Sequence, residues 1–270
     1  MTFDLDAIGR AGPVHRYEVT DAALRAYAEA TGDVVGGPVF AIVPVWQAIH
    51  PASRSVASEE ARRRVVHYAQ DMRLHRPLEA GVSLASRAIP IALAPRPSGT
   101  SLVIKTETRT EDGALMNEQY VTEFFRGVRA EETRGEYAPD HSLKVESEPI
   151  AEVTYSIADD QPERYAAASG DDFAIHLDDE FARGVGLPGR IVHGLCTMAF
   201  AARAVLEAAG AADPRAVGRL AVRFSAPLFP GETLITRVWS LDGGFGFESL
   251  NGGGTAVLKD GWAEFRPSLS

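Results

Sequence analysis

Between residues 165 and 200 the chain gathers the side chains best suited to moving protons. Asp171 follows Ser169-Gly170, His176 stands five residues later, and His193-Gly194 opens a run of apolar residues at helical spacing. An imidazole with a reference pKa near 6.5 can take or give a proton at neutral pH, and a carboxylate beside it can orient and polarise a shared water. A backbone N–H at the start of a helix adds a fixed dipole aimed at developing negative charge, often worth about 3 kcal/mol. Each residue also has a plainer reading. Asp171 would cap the turn after Ser169-Gly170, His176 would be a satisfied histidine, and His193 would shape the turn into the helix. The three together favour a site. Arg190 and Arg223 are candidates either for holding anionic groups or for the solvated surface, and Cys196 reads as a small core residue.

Positioning these residues falls to a repeated unit. Tyr17–Asp21 (Tyr-Glu-Val-Thr-Asp) recurs as Tyr155–Asp159, and Ala26–Asp33, ending Thr-Gly-Asp, recurs as Arg164–Asp171, ending Ser-Gly-Asp; both pairs are 138 residues apart. Arg73–Gly81 is echoed by Arg223–Gly231, offset by 150, and Glu123-Phe124 by Glu264-Phe265. Four matches in one order indicate duplication, with an insertion in the second copy between Asp171 and the following helix. The expected domains are 1–145 and 146–270, joined by the polar stretch His141 to Pro149. Leu195, Met198, Ala199, Ala202, Val205 and Leu206 predict a helix ended by Gly210, apolar on most faces and therefore wrapped by other elements. Leu220–Phe224, Thr233–Trp239 and Ser101–Thr108 alternate or run β-branched, as strands do. A helix followed by antiparallel strands gives an α+β fold, with a sheet curled around that helix in each copy.

Composition removes several alternatives. The 270 residues are 45% hydrophobic and 24% charged, enough to bury a sizeable core. A net charge of −10 gives no basic footprint for nucleic acid, and a single cysteine excludes an intrachain disulfide or a four-cysteine zinc site. The uncharged stretch Val34–Ser53 contains Pro38, Pro44 and Pro51, which argues against a spanning helix, so no membrane role is expected. The start, Met-Thr-Phe-Asp-Leu-Asp, lacks a basic, apolar signal, so a cytoplasmic location is expected.

The run Tyr165 to Phe200 resembles the signature of the MaoC-like dehydratases, the (R)-specific enoyl-coenzyme A hydratases: an aromatic residue, Ser/Thr-Gly-Asp, any residue, Asn-Pro, an aliphatic residue, His, and later Ile-Val-His-Gly. The turn in Ala226–Leu234 is similar as well. The resemblance implies a double hot dog fold in which the first copy is degenerate and the second catalytic. It implies Asp171 and His176 as the catalytic pair and the Gly194 N–H as the donor to the thioester carbonyl. The activity implied is hydration of a trans-2-enoyl thioester to the (R)-3-hydroxyacyl thioester, or the reverse dehydration. No metal or redox cofactor is implied. Coenzyme A is the expected carrier rather than acyl carrier protein, and a homodimer is common in the family. Phe173, His193, Arg190 and Arg223 are the candidate substrate contacts.

Two positions depart from the pattern: Phe173 stands where Asn is expected and Ala174 where Pro is, which adds bulk beside the acyl channel. These changes keep alive a non-catalytic acyl-thioester-binding role. A hot dog thioesterase is the other alternative; it would use a carboxylate on the central helix, where Glu207 is the one available. In the first copy, Pro38 lies where His would be, so Asp33 reads as structural. Pro44 predicts a stunted helix over Val45–Ile49, leaving room in the first sheet's groove for an acyl chain.

Overall fold

The computed structural model describes residues 2–136, 142–211 and 213–266. His141, where the expected linker begins, lies outside them. In chain order the first copy contributes β1 (His15–Glu18), α1 (Asp21–Thr31), α2 (Trp46–Val56), α3 (Glu59–Arg62), β2 (Val65–Leu74), β3 (Ser83–Arg96), β4 (Gly99–Thr110), β5 (Leu115–Arg126) and the two-residue β6 (Arg134–Gly135). The second contributes β7 (Ala151–Ser156), α4 (Gln161–Ser169), α5 (Ala174–Leu177), α6 (Asp179–Gly184), α7 (Gly194–Ala208), β8 (Val217–Phe224), β9 (Thr233–Leu241), β10 (Gly244–Asn251) and β11 (Ala256–Phe265). The antiparallel strand order is β1-β3-β4-β5-β2 in the first copy and β7-β9-β10-β11-β8 in the second. These orders are the same with counterpart strands exchanged, which is the structural form of the repeat. Among the described residues no helix is long and apolar enough to cross a membrane.

Two compact units result: Met1–Val19 with Pro44–Asp140, and Thr20–Val43 with His141–Ser270. In the second unit α7 packs on all five strands, β7 to β11. Small and apolar side chains permit this. Leu195, Cys196, Met198, Ala199, Ala202 and Val205 are all buried, so the helix is covered on most sides. The strands answer with alternation, Leu234, Thr236 and Val238 facing inward along β9. At the end of the helix Gly210 turns the chain with φ +63°, as its type allows.

The segment Thr20–Val43 belongs to the second unit although it comes from the first copy. There α1 packs against α4, its repeat counterpart. The Tyr27 and Tyr165 hydroxyls, 138 residues apart, share a buried hydrogen bond of 3.2 Å. Gln161 Nε2 donates to the Ala30 carbonyl and to Cys196 Sγ (3.4 Å), and Arg203 Nη1 donates to the Gly32 carbonyl at 2.6 Å. Burial pushes the Cys196 thiol up to about 12, which fits a core residue and not a nucleophile.

The first unit departs from expectation in two ways. Its helix α2 does not stop at Ile49; it runs through Pro51 to Val56, because Ala48, Ile49, Ala52, Ser53 and Val56 form a buried face at helical spacing. Pro44 lies in the 3-10 turn Pro38–Val45 that precedes α2. With 11 residues against 15, α2 is still roughly 6 Å shorter than α7 at 1.5 Å per residue. The inner face of the sheet presents Leu102, Ile104, Thr106 and Gln119, none with accessible surface. Gln70 Nε2 donates to Gln119 Oε1 (2.8 Å), Gln119 Nε2 to Asn117 Oδ1 (3.0 Å), and Ser86 shares a bond with Thr108 (3.0 Å). At these positions the face is filled by its own side chains and offers no room for an alkyl chain, against the expectation of an open acyl groove there.

The tyrosine pair predicts a specific energetic pattern. Tyr27→Phe or Tyr165→Phe alone leaves a buried hydroxyl without its partner and is expected to destabilise by about 1–2 kcal/mol. The double substitution should cost clearly less than the sum of the two, measured by thermal and denaturant unfolding. Additive losses would show that the hydroxyl pair is not a coupled interaction.

Candidate active site

Three polar side chains meet inside the second unit. The C-terminal glycine of α4, Gly170, turns the chain with φ +78°, and Asp171 follows it directly. The one-turn helix α5 then brings His176 back towards the carboxylate, its N–H bonded to the Phe173 carbonyl at 3.0 Å. His193 arrives as the residue before α7, its own carbonyl taking the Thr197 N–H. One donor or acceptor atom from each of Asp171, His176 and His193 lies within 4.8 Å of the others. They are 9%, 8% and 1% exposed.

Two main-chain oxygens set the imidazoles. His176 Nδ1 lies 2.9 Å from the Ile191 carbonyl oxygen, so Nδ1 carries the hydrogen and Nε2 is left as a lone-pair acceptor. His193 Nε2 lies 3.0 Å from the Asp171 carbonyl oxygen and donates to it, leaving Nδ1 buried without a protein partner. The two rings stack with centroids 3.7 Å apart and 23° between planes, and Tyr165 packs on the far ring at 4.8 Å. Asp171 Oδ1 accepts the Phe173 N–H at 3.3 Å.

Burial governs the electrostatics. It raises the Asp171 carboxyl to about 6, the Phe173 N–H opposing and Asp172 adding to the effect. It lowers His176 to about 4, against the hydrogen bond to Ile191. His193 falls to about 3, through burial first and the neighbouring His176 second. At neutral pH the site therefore holds a carboxylate and two uncharged imidazoles. Such a set can hold a water by accepting its hydrogens at Asp171 and His176 Nε2. Two imidazoles and one carboxylate would also offer a divalent cation its ligands.

Gly194 opens α7, where first-turn N–H groups have no intrahelical acceptor. A Cβ at this position would stand 3.0 Å from two ring atoms of Phe224, so any larger residue would need that ring to shift by a few tenths of an ångström. The remaining candidates are placed otherwise. Arg190 is spent on Glu163 and on the Asp159 carbonyl, and Arg223 on Asp260 at 2.8 Å, so neither is presented as a bare cation. Phe173 keeps its ring 48% exposed, outside the buried set. Glu207, the carboxylate that thioester hydrolysis would need, lies in the last turn of α7, roughly 20 Å along the axis from Gly194 at 1.5 Å per residue. It is held there by Tyr155 and Arg203. The counterpart carboxylate Asp33 accepts the Val34 N–H at 2.7 Å, has its other oxygen buried against Gly37, and is raised to about 6 by burial. Tyr165 and Ile191, the aromatic residue and the isoleucine of the signature, also border the site, whereas Phe181, which meets Phe173, carried no signal of its own in the sequence.

Residues 141–259 match the family model for the MaoC like domain. The second copy is a MaoC-like dehydratase domain. Over 186 residues the chain is 31% identical to "Enoyl-CoA hydratase 2, peroxisomal" of Arabidopsis thaliana, a match covering 65% of this chain and 60% of that one. It is 28% identical to "3-hydroxyacyl-thioester dehydratase Y" of Mycobacterium tuberculosis across 98% of this chain and 99% of the relative. Among solved structures, a MaoC-like dehydratase from Phytophthora capsici superimposes with a TM-score of 0.86 at 22% identity, covering 98% of this chain and all of that one. A Mycobacterium tuberculosis protein of double hotdog fold does so with a TM-score of 0.58 at 17% identity over 95% and 94% of the two chains. The fold is thus the double hot dog, and the MaoC-like domain carries Asp171, His176 and Gly194.

The shifts predict how stability follows pH. Because the folded pKa of Asp171 lies above its ordinary 3.8, its contribution is fully present below about pH 4 and is lost as pH rises through about 6. Asp171→Asn should therefore stabilise the protein at pH 8 by on the order of 2–3 kcal/mol and hardly at all at pH 4. The histidines act oppositely: their folded values lie below 6.5, so stability present above pH 6.5 is lost as pH falls towards 4. Melting temperatures of wild type and variant between pH 4 and 8 check both; a pH-independent difference would contradict the burial account.

Proposed function

We propose that the protein hydrates trans-2-enoyl thioesters of coenzyme A to (R)-3-hydroxyacyl thioesters, or runs the reverse dehydration. One observation carries the reading: a buried carboxylate and an imidazole acceptor nitrogen share one small space, with a glycine N–H at a helix start in the same unit. The R configuration rests on the resemblance of Asp171–His176 and His193-Gly194 to the family signature.

In the proposed reaction the enoyl carbonyl accepts the Gly194 N–H, which draws electron density from C3. Asp171 and His176 Nε2 hold a water between them; as its oxygen attacks C3, one of its protons passes to this pair. Electron density moves through C2 to the carbonyl oxygen. C2 then takes the proton back from the pair, the carbonyl re-forms, and both side chains return to their starting state. Water has been added across the double bond, and neither a metal nor a redox cofactor has taken part. His193 fixes the geometry by stacking on His176 and bonding the Asp171 main chain. A cytoplasmic setting and a homodimer complete the proposal; the buried free thiol of Cys196 suits a reducing compartment.

The test follows loss of the enoyl-thioester ultraviolet band with crotonyl-coenzyme A. Asp171→Asn and His176→Gln are each expected to lower kcat by about 10²–10⁴-fold, without release of free thiol. The wild-type kcat/KM should rise with pH through about 6 and then level as Asp171 ionises, and prior treatment with a chelator should leave it intact. Thiol release in place of hydration, or full activity in either variant, would overturn the assignment.

A further inference from the structure

Chemistry at Asp171 and His176 takes place under cover, yet a thioester substrate is far larger than its reacting carbons. On the hydratase reading, on which this inference rests, the acyl end enters the buried pocket and the coenzyme arm must leave it for solvent. An exposed aromatic stands next to the catalytic pair in the chain. Phe173 lies between the catalytic pair in the chain and is tied to both by its backbone: its N–H donates to Asp171 Oδ1 and its carbonyl accepts from the His176 N–H. Phe173 as a residue is 48% exposed, and its ring meets that of Phe181 of α6, a residue 42% exposed, edge to face with centroids 6.2 Å apart. Val185, just past α6, is exposed as well.

Exposed apolar rings fixed in place beside reacting groups suit an uncharged, partly apolar ligand. The surrounding side chains narrow the choice. Asp172, Asp178, Asp179 and Glu180 are all exposed here, with Arg183 the nearest ion-pairing cation, at 3.9 Å from Asp179. This acidic setting disfavours the diphosphate and 3′-phosphate of coenzyme A but not the neutral pantetheine arm, whose gem-dimethyl group and amide planes pack on ring faces. We propose that Phe173 and Phe181 form the platform on which the pantetheine arm lies. They hold the arm that carries the thioester and do not read the length of its acyl chain.

Crotonyl and longer enoyl thioesters of coenzyme A, of pantetheine and of N-acetylcysteamine, which lacks the pantoyl part, separate these contributions. In Phe173→Asn and Phe181→Ala, KM for the coenzyme A and pantetheine thioesters should rise about tenfold by the same factor at every acyl length. In Phe181→Ala the change should fall on KM rather than kcat and the N-acetylcysteamine thioesters should be unaffected, and Phe173→Leu should lie between wild type and Phe173→Asn in KM for the coenzyme A thioesters. Binding of the unreactive butyryl-coenzyme A, measured by calorimetry on the same folded variants, should weaken by the same factor whether or not hydration is observed. A KM effect that grows with acyl length, or unchanged butyryl-coenzyme A binding, would overturn the platform. Absence of hydration in the wild type, with butyryl-coenzyme A binding still weakened by the substitutions, would instead overturn the hydratase reading alone.

Discussion

A carboxylate and two imidazoles are buried together, and the architecture of the second unit follows from making that tolerable. Water would stabilise these groups far better than protein does, so each is pushed towards its uncharged form, Asp171 upward and both histidines downward. Main-chain oxygens of Ile191 and Asp171 do the anchoring. Because a carbonyl can only accept, each fixes which imidazole nitrogen carries hydrogen. The outcome is one lone pair on each ring, at His176 Nε2 and His193 Nδ1, beside one carboxylate. A dry, preorganised acceptor pair of this kind costs stability at neutral pH, which is the usual exchange at a catalytic site.

The surrounding elements bear that cost. The helix α7 is wrapped by five strands, so its start is rigid and Gly194 is held against Phe224. On the other side α1 covers α4, with the Tyr27–Tyr165 hydroxyl pair at the contact and the Tyr165 ring continuing onto His193. The first copy thus serves the site through Thr20–Val43, a segment that clusters with the second unit. Its sheet has kept the strand order but filled its inner face with Gln70, Asn117 and Gln119 bonded to one another. Duplication has supplied a helix that supports the site, and Asp33 remains as a buried carboxylate with Pro38 at the position that His176 holds in the second copy.

Periodic features were legible in the sequence. The α7 spacing, the strands around Leu220, Thr233 and Ser101, and the Ser-Gly-Asp turn all depend on short-range regularity, and the structure places them with small shifts of boundary. The length of α2 was not legible from Pro44, which predicts only where a short helix starts; the buried face from Ala48 to Val56 carries the helix on through Pro51. The candidate site was legible as types at fixed spacing, but its geometry was not. His193 reaches Asp171 through a main-chain oxygen 22 residues away, an acceptor that every residue possesses and no pattern marks. Phe181 meets Phe173 only because α5 and α6 fold back on each other. What fills a groove is equally invisible, since helix length alone does not say which side chains the sheet turns inward.

The central claim is that water adds at C3 of an enoyl thioester under Asp171 and His176, and isotope placement tests it most directly. Crotonyl-coenzyme A incubated with the protein in H₂¹⁸O and analysed by fragmentation mass spectrometry should yield an intact thioester with ¹⁸O in the 3-hydroxyl group. Label found in a freed carboxylate would place the attack at the carbonyl carbon and contradict the account.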